Sequence, residues 1–347
     1  MKKVIKKIIE KLIGEKNTFI LKNKLFPLKA IPNEMIIDIS GTCNAKCSFC
    51  ARNYMPNDRK KGFMSEETFR LCIEEAKQAG IKKIRLYSTG EPLLHPQFDL
   101  FIKLLKSEFF FIVISTNASL LDKHLESVSL IDIVQFSVEG WDPESYEELR
   151  RPLKFSKIYN NILQFNDFLN KNDTPRPKRM IHLLLTKQTE LRKYINLWKD
   201  LIDEIRVDIC YPTNIFKNDF FVSIIPDSLQ NKLLDFEEIK GLKICQYPFE
   251  VITVSWDGKI SLCCLDFAAN LELGYMSSGI RNIYYSANFN KIRNEFRTQN
   301  LRTCKKCMIF KMISTDDKNK IKNSLLELTK EDVSLKDKIH CDFISLK

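Results

Sequence analysis

The chain has 347 residues, of which 44% are hydrophobic and 11% aromatic, so it can bury the core of one large and one smaller domain and is not a disordered chain. Its 55 Lys and Arg against 44 Asp and Glu give a net charge of +11, but the excess is mostly lysine spread along the chain, which argues against a nucleic-acid partner. Eleven cysteines in clustered spacing, with no export signal before them, favour a reducing cytoplasm over a secreted disulfide framework.

The first 34 residues form a lead-in to the first predicted strand. Residues 1–13 place apolar side chains on one helical face and lysines on the other, which predicts a basic amphipathic helix. This helix either packs against its own domain or makes a peripheral contact with an anionic membrane surface. No apolar stretch is long enough to be a signal sequence or to span a bilayer.

Three cysteines follow the first strand at the spacing C-x3-C-x2-C. The strand is predicted over Met35–Ile39, and Cys43, Cys47 and Cys50 come in the short loop after it. One such loop can turn three thiolates toward a single point, which is the geometry of a metal centre with one ligand missing. Reduced core thiols or a zinc site are the structural alternatives.

Strands and helices then alternate. Ser65 and the acids after it predict a helix that runs to Ala79 and ends at Gly80. Further helices are expected over about 97–107, 144–150, 156–170 and 190–202. Six strands that alternate with these helices predict an α/β fold, a partial (β/α)6 TIM-like barrel over residues 35–240. The six strands begin near Met35, Lys83, Phe109, Ile131, Arg179 and Glu204.

Polar residues come at the carboxyl ends of these strands. Glu91 stands on the turn Ser88–Pro92, and Asn117 and Glu139 follow the next two strands. Chemistry in barrels and in open parallel sheets is found at this end, so these side chains are expected to lie near the cysteine loop.

A second cysteine system begins after the alternation stops, over residues 241–312. Two apolar runs around Asp257-Gly258 predict a hairpin from Tyr247 to Cys264, and residues 282–298 are predicted to be a helix. Four thiolates can form a closed site, which suits zinc or an iron–sulfur cluster, and spacing alone does not choose between them. The four are Cys245, Cys263, Cys304 and Cys307. The tail, residues 313–347, is charged and expected to be partly helical.

Together these features resemble the radical S-adenosylmethionine (SAM) enzymes, with a second region similar to their SPASM/twitch auxiliary-cluster domains, over residues 35–312. The resemblance implies that Cys43, Cys47 and Cys50 hold three irons of a [4Fe–4S] cluster. SAM would bind the fourth iron, and its reductive cleavage would give a 5′-deoxyadenosyl radical that abstracts hydrogen from carbon.

The resemblance also implies residues that bind SAM. Thr89-Gly90-Glu91-Pro92 is similar to the family's Gly-Gly-Glu-Pro turn, with Thr89 in place of the first glycine, and Glu91 would accept from the methionine ammonium. Asn117 and Ser137 match positions near the ribose and the methionine. Arg150, or the adjacent Arg151, would pair with the methionine carboxylate. The alternative for Asn117, Ser137 and Arg150 is an ordinary turn or surface residue.

In the second region the resemblance implies one auxiliary [4Fe–4S] cluster on the four cysteines named above. Ile313 stands where a second auxiliary cluster would need a cysteine, and the spacing from Gly258 favours Cys263 over Cys264. Asp266 is a candidate proton acceptor near the substrate, or a solvated turn residue. Three other thiols are expected only to pack or to be exposed: Cys72, Cys210 and Cys341.

The expected function is therefore a radical SAM oxidoreductase that abstracts hydrogen from a small-molecule or sugar-like substrate, with the auxiliary cluster helping to oxidise it. A reducing partner such as flavodoxin or ferredoxin would supply electrons. The alternatives are a maturase that modifies a ribosomally made peptide, and a non-catalytic iron–sulfur or zinc protein.

Overall fold

A computed structural model describes most of the chain. The described residues are 32–55, 57–172, 177–210, 232–238, 245, 247–266, 269, 271, 273–298, 300–301, 304 and 311–341. The predictions for residues 1–13 and for Cys307 lie outside them. None of the described helices is long and apolar enough to cross a membrane.

The centre of the fold is a nine-stranded sheet in which the six predicted strands are confirmed. They run parallel, each paired with the next along the chain. Their bounds are Glu34–Ile37 (β1), Lys83–Leu86 (β2), Phe111–Thr116 (β3), Ile133–Ser137 (β4), Lys178–Leu185 (β5) and Glu204–Ile209 (β6).

Two later segments extend this parallel core at its edges, which the sequence did not predict. Val251–Val254 (β8) pairs parallel with β1 and continues into the antiparallel strand Ile260–Ser261 (β9). At the other edge Ile339–Cys341 (β11), from the tail, pairs parallel with β6. Phe236–Glu238 (β7) and Lys311–Ile313 (β10) form a separate antiparallel pair. The fold is thus an open, mostly parallel α/β sheet, as expected of a partial barrel.

Helices cover one side of this sheet. The first has its predicted ends, because Ser65 accepts a hydrogen bond from Thr68 N and Gly80 ends the helix with a φ of 74°. The helices are Glu66–Ala79 (α1), Phe98–Ser107 (α2), Leu125–Ser129 (α3), Pro143–Glu147 (α4), Phe155–Lys171 (α5), Leu191–Trp198 (α6), Tyr247–Glu250 (α7), Ile280–Tyr284 (α8), Ala287–Arg297 (α9) and Thr315–Glu331 (α10).

Two details of the second region differ from the prediction. The hairpin strand does not begin at Tyr247, because α7 occupies its first residues and only the β-branched run after it is extended. The helix predicted over 282–298 is two helices, because Ser286 caps α9 by accepting from Phe289 N.

The sheet has two different faces. The residues of β2 to β6 that point to the helices, such as Ile84, Ile114 and Phe136, are fully buried in one core. On the opposite side, here called the inner face, alternate residues are polar and only partly buried. They include Arg85, Ser115, Gln135, Ser137, His182 and Asp208. The inner face is therefore open to ligands, and the other face is not.

Candidate functional site

The three thiols of the cysteine loop lie close together at the carboxyl end of β1. Burial, together with the charges of Glu91 and Cys50, raises the pKa of the Cys43 thiol to about 11, and burial and nearby acidic groups raise that of Cys47 to about 12. The pKa of Cys50 is raised mainly by burial. Thiols in this setting stay protonated unless a bound metal stabilises the thiolate.

Arg150 places a cation against Cys47. Its Nη1 donates to Cys47 Sγ at 3.6 Å, and its Nη2 donates to Glu139 Oε1 at 2.6 Å while Nε bonds Oε2 of the same carboxylate. Although burial opposes its charge, the attraction of Glu139 raises the pKa of Arg150 well above its usual range. Arg151 is exposed, so the geometry favours Arg150 as the residue that could meet a methionine carboxylate.

The predicted turn with Gly90 and Glu91 lies against the cysteine loop. Glu91 N donates to Thr42 O at 2.9 Å, and a side chain at position 90 would overlap the carbonyl oxygen of Ser40. The carboxylate of Glu91 is 3% exposed and accepts from Thr116 Oγ1 at 2.6 Å and from Asn117 N at 2.8 Å. Burial raises its pKa.

Asn117 connects this turn to the cysteine loop. Its Nδ2 donates to Asn44 Oδ1 at 2.9 Å, and Asn44 Nδ2 donates to Ser119 Oγ at 2.8 Å. Asn44 lies between the first two loop cysteines. The amide of Asn117 therefore holds the loop in position, and a contact with SAM is a further role that stays a prediction.

Asp38 binds Thr89, the residue that stands in place of the first glycine of the family's turn. Its buried carboxylate accepts from the hydroxyl of Thr89 and from Thr89 N at 3.2 Å. The threonine hydroxyl thus helps to fix the turn that carries Glu91, and a glycine at position 89 could not make this contact. Burial raises the pKa of Asp38 to about 6 against these hydrogen bonds and the charge of Arg59, which lower it.

We expect the stability that Asp38 contributes to depend on pH. A folded-state pKa of about 6 against an ordinary 3.8 means that the folded protein binds this proton more tightly. The contribution is fully present below about pH 4 and is lost as pH rises through about 6, by about 3 kcal/mol. Urea unfolding of the wild type and of Asp38→Asn from pH 4 to 8 measures it.

The wild type should lose stability relative to Asp38→Asn as pH rises. Thr89→Val removes a hydroxyl donor that lowers the pKa of the Asp38 carboxyl, so the pH at which stability is lost should rise. This variant should also be less stable than the wild type at every pH. A difference between wild type and Asp38→Asn that is the same at every pH would contradict the expectation.

Ser137 lies on the inner face, where it is part of a row of polar side chains that crosses four strands. Ser137 Oγ is 3.1 Å from Ser115 Oγ, and Gln135 Nε2 donates to Ser115 Oγ at 3.4 Å and lies 3.3 Å from His182 Nδ1. His182 Nε2 is 3.8 Å from Asp208 Oδ2. The row offers donors and acceptors on the sheet whose first strand leads into the cysteine loop.

The auxiliary cysteines are only partly within the described residues. Burial and the nearby Cys264, Asp266 and Cys245 raise the pKa of Cys263 well above its usual range, so Cys245 and Cys263 are neighbours, as the hairpin predicted. Cys264 instead hydrogen-bonds the Tyr247 phenol. Asp266 is 1% exposed and is therefore not a solvated turn residue. Cys304 packs against the main core.

The donor set of the loop fits an iron–sulfur cluster. Each iron of a [4Fe–4S] cluster takes one thiolate. Cys43, Cys47 and Cys50 supply three thiols that are close enough to raise one another's pKa.

Sequence reasoning missed Asp38 and Asn44, and it placed Glu139 at a strand end without predicting its partner Arg150. All three act through partners that only the fold brings close. His182 and Asp208 could have been found from the alternation of polar and apolar residues in their strands.

Comparison with known proteins identifies the class. A model of the radical SAM superfamily matches residues 37–191, and a model of SPASM, an iron–sulfur cluster-binding domain, matches residues 245–308. The chain therefore belongs to the radical SAM superfamily and carries a C-terminal SPASM domain. It is a radical SAM enzyme, and its cofactors are SAM, the SAM-binding [4Fe–4S] cluster and an auxiliary iron–sulfur cluster.

The relatives have diverse functions. A tungsten-containing aldehyde ferredoxin oxidoreductase cofactor-modifying protein of Pyrococcus furiosus is 24% identical over 253 residues, which are 66% of this chain and 70% of that protein. A probable GTP 3′,8-cyclase of Methanothermobacter thermautotrophicus is 30% identical over 129 residues, 36% of this chain and 41% of the cyclase. The second match thus spans less than half of the relative.

Two solved structures share the fold. Streptococcus suis SuiB bound to the precursor peptide SuiA superposes with a TM-score of 0.58 at 17% identity, over 80% of this chain and 70% of SuiB. His-tagged anSMEcpe with bound AdoMet superposes with a TM-score of 0.56 at 16% identity, over 80% of this chain and 84% of that chain.

Proposed function

We propose that this enzyme oxidises a small, polar, sugar-like substrate by hydrogen abstraction. Cys43, Cys47 and Cys50 would hold the SAM-binding cluster. The auxiliary cluster would be held by Cys245, Cys263, Cys304 and Cys307. When bound, the first cluster and SAM supply the radical that removes hydrogen from carbon, and the second cluster can take up an electron.

The observation that carries the proposal is the polar row on the inner face. Five polar residues of β3 to β6 are partly exposed, and these strands lie in the same sheet as β1, which leads into the cysteine loop. The five are Ser115, Gln135, Ser137, His182 and Asp208. Although burial acts in the opposite sense, the nearby His182, the hydrogen bond from Ile209 N and the charge of Arg206 lower the pKa of Asp208, so it is an acceptor for hydroxyl or amino groups. A site with such groups discriminates against substrates that leave them unpaired.

Glu91 and Arg150 would orient SAM. A carboxylate has about four acceptor positions, and Glu91 uses three of them, for Thr116 Oγ1, Asn117 N and Leu93 N, so one is left for an ammonium group. Glu139 occupies two nitrogens of Arg150, and Nη1 remains on the side of Cys47, where it can meet a carboxylate.

Asp266 is the proton acceptor that we propose for the oxidation. It lies beside Cys263 and is buried, which suits a base that takes a proton while an electron leaves toward the auxiliary site. The electron donor would be a flavodoxin or a ferredoxin, and the clustered thiols suit the reducing cytoplasm.

A peptide substrate is the second candidate. A cavity of ≈ 430 Å³ opens beyond the ends of β4 and β5, and its lining includes Trp141, Glu144, Thr186 and Lys193, which could take a peptide side chain. SuiB, which has a similar fold, was solved with a precursor peptide, and the net charge of +11 would attract an acidic leader.

Deuterium transfer distinguishes the two candidates. Reconstituted, reduced enzyme is incubated with SAM and either a carbon-deuterated aminocyclitol or sugar panel, or deuterated precursor peptides, and 5′-deoxyadenosine is analysed by mass spectrometry. Deuterium from the first panel, with a ketone product, supports the proposal, whereas deuterium from a peptide overturns it in favour of the second candidate. No cleavage of SAM would refute both.

A further inference from the structure

The turn of the β8–β9 hairpin inserts an indole ring between the two ends of the cysteine loop. A Cβ atom at Gly41 would lie 2.6 Å from Trp256 Cδ1, and one at Gly62 would lie 2.6 Å from Trp256 Cε3. Gly41 precedes Cys43 by two residues, and Gly62 comes after Cys50. The ring therefore fills a space that exists only because both positions are glycine.

Polar contacts hold the ring in this space. Trp256 Nε1 donates to Arg59 O at 3.4 Å, and the Arg59 guanidinium lies 5.8 Å from the ring centroid and forms an ion pair with Asp257. The side chains of Arg59 and Asp257 are only 11% and 26% exposed, so this ion pair is partly shielded from solvent.

The loop ends are also bonded to each other. Gly41 N donates to Gly62 O at 3.0 Å, and Arg52 Nη2 donates to Gly41 O at 2.8 Å. Asp38 N, at the start of the loop, donates to Val254 O at 2.8 Å, next to the hairpin turn. Both ends of the loop thus rest on one hairpin that belongs to the second region of the chain.

We propose that Trp256 and Asp257 are positioning residues for the SAM-binding cluster. By fixing both ends of the loop, they set the positions from which Cys43, Cys47 and Cys50 bind iron. This inference rests on the proposed assignment of the loop cysteines to that cluster. It makes the geometry of the SAM site depend on the auxiliary region, about 200 residues later in the chain.

Alkylation of the full-length protein before cluster reconstitution tests the inference, with iodoacetamide as the probe and mass spectrometry to locate the modified cysteines. Cys47 is 6% exposed and reacts only when the loop opens. Trp256→Ala should raise the alkylation rate of Cys47 about tenfold, which corresponds to about 1.4 kcal/mol in the opening equilibrium. Asp257→Asn should raise it about threefold, because it removes a partly shielded ion pair. After reconstitution, Trp256→Ala should weaken SAM binding and alter the EPR signal of the reduced cluster.

Two controls report on the rest of the fold. Cys72 is fully buried in α1, and its alkylation rate should not change in any of these variants. Tyr275→Ala removes a 52% exposed aromatic ring from the second region of the chain. It should leave the alkylation rate of Cys47 as in the wild type. If Cys72 also reacts faster in Trp256→Ala, that variant has unfolded. The alkylation rate of Cys47 in Asp257→Asn then tests the inference in its place.

Faster alkylation of Cys47 with Cys72 unchanged supports the inference. An unchanged rate at Cys47 in a folded variant overturns it, whether or not the enzyme cleaves SAM. Because the alkylation needs no cluster and no substrate, this outcome is independent of the proposed reaction.

Discussion

Replacing Cys47 by alanine is expected to abolish SAM cleavage and to lower the iron content from about eight to about four atoms per chain, since two [4Fe–4S] clusters become one. Cys47 is buried and is the loop cysteine whose sulfur accepts from Arg150, so its replacement removes one of the three thiolates that would hold the cluster. Anaerobic iron and sulfide analysis, with chromatographic detection of 5′-deoxyadenosine, measures both effects.

Cys341→Ala is the matched control. Cys341 lies on β11 at the far edge of the sheet, and its removal should leave the iron content and SAM cleavage as in the wild type. Zinc in place of iron, or an unchanged iron content in Cys47→Ala, would show that the loop does not hold the cluster.

Arg150→Met is expected to destabilise the protein by about 3–5 kcal/mol and to weaken SAM binding. The side chains of Arg150 and Glu139 are 9% and 1% exposed, so removing the arginine leaves a carboxylate buried without its cation. Urea unfolding measures the first effect and isothermal titration with SAM the second.

The double variant Glu139→Gln/Arg150→Met separates stability from binding. Without a buried charge it should recover most of the lost stability, since replacing both partners of a buried pair is often nearly neutral. SAM binding should stay weak, because the cation for the methionine carboxylate is gone. A double variant that binds SAM like the wild type would exclude Arg150 as a SAM ligand.

Much of the fold could be predicted because it is local. Each of the six core strands is an apolar run bounded by turn residues, and the helix after Ser65 carries its own cap and stop. Strands β8 and β11 were missed as members of the main sheet, because they have only four and three residues and pair with strands more than 100 residues earlier. Nothing in such short runs specifies a distant partner.

The candidate site likewise has a part that local sequence motifs could predict and a part that they could not. The cysteine loop could be singled out because its three cysteines lie within eight residues, and Glu91, Asn117 and Arg150 were singled out by resemblance to a family. The contacts that fix these residues were not predictable. Asp38 meets Thr89 across 51 residues, and Arg59 meets Asp257 across 198. No motif around these residues indicates a distant partner, and only the fold brings them together.

The pairing of β1 with β8 has a consequence for synthesis on the ribosome. Glu34 and Val251 are register partners, so at about 5–20 residues per second the nascent chain spends roughly 10–40 s with one edge of β1 open after the cysteine loop has emerged. Exposed strand edges pair readily with other chains. A fragment that stops before Val251 keeps this edge open permanently, so the radical SAM core of this enzyme is expected to aggregate when it is expressed alone.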